Sequence, residues 1–209
     1  MENRNKALIL IDIQPDFLPG GALAVPSGDE ILPRVEALAA EFDTIVLTQD
    51  WHPAGHGSFA SSYGAAPFST TEMAYGTQVL WPDHCVQGTP GAGLALPAHV
   101  ADKASLIIRK GMNPAIDSYS AFVENDRVTT TGLAGWLRER GIRDLTFSGL
   151  ALDYCVAFSA IDAVGLGFAV NVDLEGCRGI AHGSVQEQLD AMREAGIRLI
   201  GSVDTGQVG

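Results

Sequence analysis

Leu145-Thr-Phe-Ser-Gly-Leu-Ala-Leu-Asp-Tyr-Cys-Val-Ala-Phe-Ser-Ala-Ile-Asp-Ala163 is the stretch on which the fold turns. It opens as a buried strand, Leu145 to Ser148, and passes through Gly149. It resumes with a helical apolar period, Val156, Ile161 and Val164, with small residues between. Asp153, Tyr154 and Cys155 lie between the two patterns. A cysteine there sits in the first turn of a helix, past the carboxyl end of a strand. Unpaired N–H groups and the positive end of the helix dipole favour thiolate at that place and can supply an oxyanion site. Read alone, Cys155 is equally well a small core hydrophobe. The rest of the chain decides between the two.

Working outward, Lys6 to Ile13 is a continuous apolar run ending around Asp12, as in a strand buried on both faces of a parallel sheet. Gln14 to Gly28 is a Gly- and Pro-rich connection, and 29–42 reads as an amphipathic helix with Ile31, Val35, Leu38 and Ala39 on one face. Residues 44–48 are a second buried strand, followed at once by Asp50, Trp51 and His52. From Pro53 to Val100 there is little periodicity, and so long a loop-rich stretch is usually functional. Residues 60–79 within it are a candidate lid. Residues 105–110 are a third core strand ending in Lys110, and 112–128 are loop-rich. A short helix follows over 132–141, then the opening stretch and a strand over 168–172. The last elements are a helix over 184–195, with Ser184 as its N-cap, and a strand over 197–200. Strand and helix alternate throughout, which predicts a doubly wound, Rossmann-like α/β fold: a parallel sheet with helices on both faces. The chain is expected to form one domain over 1–209, with a metal-binding and lid insertion at about 50–100.

The formal charge of −12 argues against nucleic-acid binding and against docking on anionic membranes. No apolar run reaches the length of a membrane span, and the N-terminal residues hold no signal-peptide core. Three cysteines, an odd number, give no disulfide framework, so a reduced, cytoplasmic protein is expected.

Three core strands end in Asp12, Lys110 and Cys155. In a parallel sheet those ends lie along one edge, where open α/β sheets place their sites. Asp12 can serve as base for the thiol. Lys110 would lower the cysteine pKa and stabilise the anionic form. Backbone N–H groups around Ala151 and Cys155 would bind the oxygen of a tetrahedral intermediate. The alternative is a buried Asp12–Lys110 ion pair beside an inert thiol, for which the desolvation cost offers no evident gain. A second constellation is Asp50-x-His52, His56 and His84, a mixed N/O set that suits Zn²⁺, Fe²⁺ or Mn²⁺ and leaves open positions. Loop histidines are also often plain surface residues, as we read His99 and His182. Cys85 and Cys177 are read as structural.

Several segments carry a family resemblance. They are Asp12-Ile-Gln-Pro-Asp-Phe17, Pro19-Gly-Gly-Ala-Leu-Ala-Val25, Thr48-Gln-Asp-Trp-His52, Gly55-His-Gly-Ser-Phe59, Leu80-Trp-Pro-Asp-His-Cys-Val-Gln-Gly-Thr-Pro90, Lys110-Gly111, Asp117-Ser-Tyr-Ser-Ala-Phe122 and Gly149-Leu-Ala-Leu-Asp-Tyr-Cys-Val156. In this order they resemble the bacterial nicotinamidases (pyrazinamidases) of the isochorismatase-like cysteine hydrolases. The resemblance implies a six-stranded parallel sheet and hydrolysis of nicotinamide to nicotinate and ammonia in NAD salvage, through a cysteine thioester. Pyrazinamide would be a second small-molecule substrate. It implies an Asp12–Lys110–Cys155 triad, an oxyanion hole at Ala151 and Cys155 behind a cis peptide after Leu150, and one divalent metal, zinc before iron or manganese, on Asp50, His52 and His84. His56 matches a position that is a further ligand in some members. Phe17, Trp81 and Tyr119 match the aromatics that line the pyridine pocket. The chain departs from the family pattern at Pro15, where Asn is frequent, and at Leu152, where Thr is usual. A related amidase acting on another small amide is the alternative. Oligomeric state is open.

Overall fold

The computed structural model describes residues 5–203; the domain expected over 1–209 extends beyond these limits at both ends. In chain order the first elements are β1 (Lys6–Ile11), α1 (Leu32–Glu41), β2 (Ile45–Asp50), β3 (Thr70–Met73), β4 (Gly76–Val79), α2 (Ala98–Ala101) and β5 (Leu106–Lys110). They are followed by α3 (Leu133–Glu139), β6 (Asp144–Leu150), α4 (Ala157–Gly165), β7 (Ala169–Arg178), α5 (His182–Glu194) and β8 (Arg198–Ile200). Six strands form one sheet in the order β5-β2-β1-β6-β7-β8, every pair parallel. Alternation along β1 divides the core. Ala7, Ile9 and Ile11 pack with residues of α3, α4 and α5, whereas Leu8 and Leu10 pack with Val35 and Leu38 of α1. Helices therefore cover both faces, as the sequence predicts.

The chain moves from β1 outward to β2 and β5, then returns to the other side of β1 as β6. That reversal opens a crevice at the carboxyl ends of β1 and β6. Asp12 leaves β1 there, and Ala151 to Cys155 leave β6 there.

Four local expectations are corrected. The helix expected over 29–42 begins with a 3₁₀ turn, Gly28–Ile31, and becomes α-helical only at Leu32, with Pro33 in the first turn where its missing N–H costs nothing. The 53–100 stretch is not loop throughout: β3 and β4 form an antiparallel hairpin inside the candidate lid segment. Helix α5 begins at His182, and Ser184 does not cap it. The Ser184 hydroxyl donates to Asp153 Oδ2 at 2.6 Å, and Asp153 also accepts the N–H groups of Ile180 and Ala181 at 3.0 and 3.1 Å. Strand β7 runs past 172 because its register with β6 slips, from Phe147↔Val172 to Gly149↔Cys177. The residues taken up in the slip include Asp173, which pairs with Arg34 at 2.5 Å.

Candidate active site

Asp12 lies one residue past β1 with φ +46°, a left-handed turn that an aspartate tolerates better than most side chains. Thr48 of β2 fixes it twice. The Asp12 N–H donates to Thr48 Oγ1 at 3.0 Å, and the hydroxyl donates back to Asp12 Oδ1 at 2.5 Å. The second oxygen, Oδ2, faces Lys110 Nζ at 2.8 Å. Apart from that ion pair, Oδ2 receives no hydrogen-bond donor. Lys110, at the end of β5, donates to Asp50 Oδ1 at 2.5 Å and to Ser118 O at 2.8 Å, and lies 3.5 Å from Cys155 Sγ. One carboxylate oxygen each of Asp12 and Asp50 and the Cys155 sulfur lie within 4.8 Å of one another. The three strand-end residues thus converge, and Asp50 joins them.

Cys155 sits in a π-helical turn, Leu152–Val156, that leads into α4. The Leu150–Ala151 peptide is cis. The electrostatics differ from the sequence expectation that Lys110 and the helix start would depress the thiol. Burial pushes Cys155 well above the ordinary cysteine range; Lys110 opposes this, but Asp12 and Asp50 add to it. Burial and the two carboxylates thus favour the neutral thiol over the thiolate. Burial also raises Asp12, against the pull of Lys110 and with the push of Asp50, so its carboxylate is a stronger base than usual. Lys110 is held charged: burial works against the ammonium, and Asp12, Asp50 and Cys155 outweigh it. Asp50 is also buried, which would raise it, yet Lys110 and His52 bring it well below the ordinary carboxylate range.

Asp50 carries its other oxygen to two imidazoles. Oδ2 lies 3.7 Å from His52 Nε2 and 3.8 Å from His84 Nε2. Each ring is anchored at its far nitrogen, His52 Nδ1 on Gly111 O at 3.0 Å and His84 Nδ1 on Pro82 O at 2.8 Å. A carbonyl accepts only from N–H, so both Nε2 lone pairs are aimed at the space beside Asp50. His52 Nε2 is buried with no hydrogen-bond partner. A buried acceptor without a donor is costly, and a cation would satisfy it. The set fits a divalent metal on its own chemistry. His56 does not join these three. Its Nδ1 pairs with the Ser58 hydroxyl at 2.8 Å and its Nε2 with Asn113 O at 2.7 Å. It approaches His52 and Asp117 instead, with one ligand atom of each within 4.8 Å.

The concavity over the thiol is lined by Phe17, Trp81 and Tyr119, and also by Leu23, Tyr154, Ile180 and Asp117, with Asp50, His84, Ala151 and Cys155 at its floor. Trp81 meets Tyr154 edge-on at 4.9 Å and Tyr119 at 6.2 Å, and Phe17 leans on the His84 ring at 5.5 Å. Three flat walls around a polar floor suit a small aromatic ring carrying one polar group. Leu23, Ile180 and Asp117 escaped the sequence reading. Asp117 is held from behind by Gln78 of β4, whose Nε2 donates to its Oδ2 at 2.8 Å and to Tyr119 Oη at 2.9 Å. The candidate lid hairpin is therefore tied to the pocket wall.

Comparison with known proteins agrees with this geometry. The isochorismatase domain model matches residues 6–204. A nicotinamidase of Acinetobacter baylyi is 52% identical over 200 residues, covering 95% of this chain and 93% of that protein. A solved nicotinamidase/pyrazinamidase from Acinetobacter baumanii superposes with a TM-score of 0.92 at 47% identity, covering 96% and 97% of the two chains. A pyrazinamidase from Pyrococcus horikoshii, solved in complex with zinc, superposes with a TM-score of 0.77 at 36% identity, covering 94% and 98%. The sheet order, the crevice with its cysteine, and a match along nearly the whole described chain place this protein in the isochorismatase family.

Proposed function

We propose that the protein is a nicotinamidase, hydrolysing nicotinamide to nicotinate and ammonia, with pyrazinamide as a second substrate. The observation that carries the reading is the meeting of Asp12, Lys110 and Cys155 at the sheet's switch point, under an aromatic-walled pocket. In this reading the carboxamide enters with its ring between Phe17, Trp81 and Tyr119. Asp12 Oδ2, paired only with Lys110, takes the thiol proton as sulfur attacks the amide carbon. Burial raises Asp12 and makes it a stronger base, but it raises the thiol as well, so the transfer depends on the ammonium of Lys110 beside both groups. Lys110 stays positive beside both groups and lowers the cost of the charge that forms on sulfur. The amide oxygen, gaining negative charge, rests on the N–H groups of Ala151 and Cys155. Asp12 then returns the proton to the departing nitrogen. The C–N bond breaks, and a thioester and ammonia remain. A water deprotonated by Asp12 cleaves the thioester, and the proton returns to sulfur as nicotinate leaves.

Asp50, His52 and His84 would hold one divalent cation at the pocket floor, zinc being favoured by the zinc complex of the Pyrococcus horikoshii relative. Such an ion supplies a Lewis acid that orients a pyridine nitrogen. The NAD-salvage role and the three unpaired cysteines suit a cytoplasmic setting, and among the described residues no helix is long and apolar enough to cross a membrane. We read the chain as one domain with an inserted metal-binding and lid segment. Ammonia release from nicotinamide by the purified protein tests the function, with Cys155→Ala as control. Turnover that the variant loses supports it; no release by the metal-loaded wild type points to a different small amide.

A further inference from the structure

Strand β1 stops pairing with β2 before β2 ends. The register runs Leu8↔Ile45, Ile9↔Val46 and Leu10↔Leu47, and the chain then turns out of the sheet at Asp12. On its other side β2 stays paired with β5 as far as Asp50↔Lys110. Leu8 N–H donates to Thr44 O at 3.0 Å, while Trp51 N–H donates to Lys110 O at 3.0 Å. Main-chain groups alternate sides along a strand, so the N–H and C=O of Asp50 point toward the place β1 has vacated. Gln14 fills it. Its Oε1 accepts the Asp50 N–H at 2.8 Å, and its Nε2 donates to Asp50 O at 3.0 Å and to Ala92 O at 2.9 Å. The side chain has no solvent exposure. One amide thus replaces a strand partner at the residue whose carboxylate touches Lys110 on one side and faces His52 and His84 on the other.

We propose that Gln14 is a positioning residue for metal binding: by pairing with both main-chain groups of Asp50 it fixes the carboxylate in the attitude that His52 and His84 require. This rests on the metal reading of Asp50, His52 and His84. Gln14 acts through Asp50 and touches no reacting atom. Its amide is the side chain suited to the task, because a peptide-like group alone offers a donor and an acceptor in the spacing a strand would present. An apolar residue of the same size fills the space but leaves the Asp50 N–H and C=O unpaired.

The test is Zn²⁺ affinity of the full chain, measured after chelation and dialysis by competition with a chromophoric chelator, for wild type, Gln14→Met and Gln14→Glu. Outer contacts of this kind typically change metal affinity by about 10–100-fold. Gln14→Met is expected to lose affinity in that range. Gln14→Glu keeps the acceptor for Asp50 N–H and is expected to fall between Met and wild type. Melting temperature of the metal-free proteins is measured beside it. A purely architectural role would lower that temperature in both variants and leave Zn²⁺ affinity within about two-fold of wild type, which overturns the proposal. If Gln14→Met does not fold, Gln14→Glu decides: unchanged affinity overturns the proposal, and a several-fold loss supports it. Wild type that binds no Zn²⁺ overturns the metal reading itself, and the proposal with it.

Discussion

Lys110 Nζ donates to Asp50 Oδ1 at 2.5 Å, and through this bond the residue that faces two imidazoles is also a neighbour of the thiol. The ammonium therefore sits between two carboxylates, with Asp12 Oδ2 at 2.8 Å on its other side. Removing it leaves two buried carboxylates whose oxygens lie within 4.8 Å. Breaking a buried ion pair from one side costs about 3–5 kcal/mol. Lys110→Met is expected to lose that much in denaturant unfolding of the metal-free protein, and added Zn²⁺ is expected to restore part of it by placing positive charge on Asp50. A loss below about 1 kcal/mol would mean that the ammonium does not hold the two acids together.

The three cysteines should differ sharply in reactivity. Cys85 and Cys177 have no exposed surface, and burial drives both thiols upward, Cys177 to about 12. Cys155 is also held up, by burial first, but it opens into the pocket. Iodoacetamide should therefore modify one residue in the native, metal-free protein and three after denaturation. The sign of the pH dependence follows from the direction of the shift. A raised pKa leaves the thiol neutral at pH 7, so the alkylation rate should keep climbing through pH 9. A rate that levels off near neutrality would show a resting thiolate and contradict the electrostatics described above.

Asp12→Asn separates base from scaffold. Asparagine keeps an oxygen for the Thr48 hydroxyl and nearly the same volume, but it cannot take a proton from sulfur. General-base loss costs about 10²–10⁴-fold, and turnover of nicotinamide should fall by that amount. Zn²⁺ affinity should stay within a few-fold, because Asp12 is not among the three residues that face the metal position. Equal loss of both would make Asp12 a structural residue.

The sequence was legible where chemistry contradicts burial. An aspartate and a lysine at the ends of apolar runs, and a cysteine at a strand-to-helix turn, are visible without coordinates, and the sheet edge brings them together. The two walls of β1 were equally visible in its apolar pattern. What could not be read was anything that depends on register. Asp50 bonds Lys110 because β2 and β5 pair at that residue, and Thr48 reaches Asp12 because the chain turns left-handed there. Ser184 looked like an N-cap, but Asp153, 31 residues upstream of it in sequence, takes the N–H groups before α5. The depressed thiol expected from Lys110 failed for a related reason. The sequence shows the cation, but not that two carboxylates and full burial accompany it.

The role of the metal position can be divided from that of the triad by choice of substrate. His84 is anchored on Pro82 O and faces Asp50, but unlike Asp50 it makes no hydrogen bond to Lys110. His84→Ala should therefore weaken metal binding while leaving the Lys110 contacts in place. If the ion orients the pyridine nitrogen, the penalty falls on substrates that have one. Nicotinamide should lose about 10–100-fold in kcat/KM in this variant, and chelation of the wild type should do the same. Benzamide has the same shape and carboxamide but no ring nitrogen, so it has nothing to present to the ion. Any turnover of benzamide should change little in either case. Equal losses for both substrates would mean that the ion acts on the triad through Asp50 and does not orient the ring. The outcome then turns on Asp50, whose two oxygens face the two halves of the site.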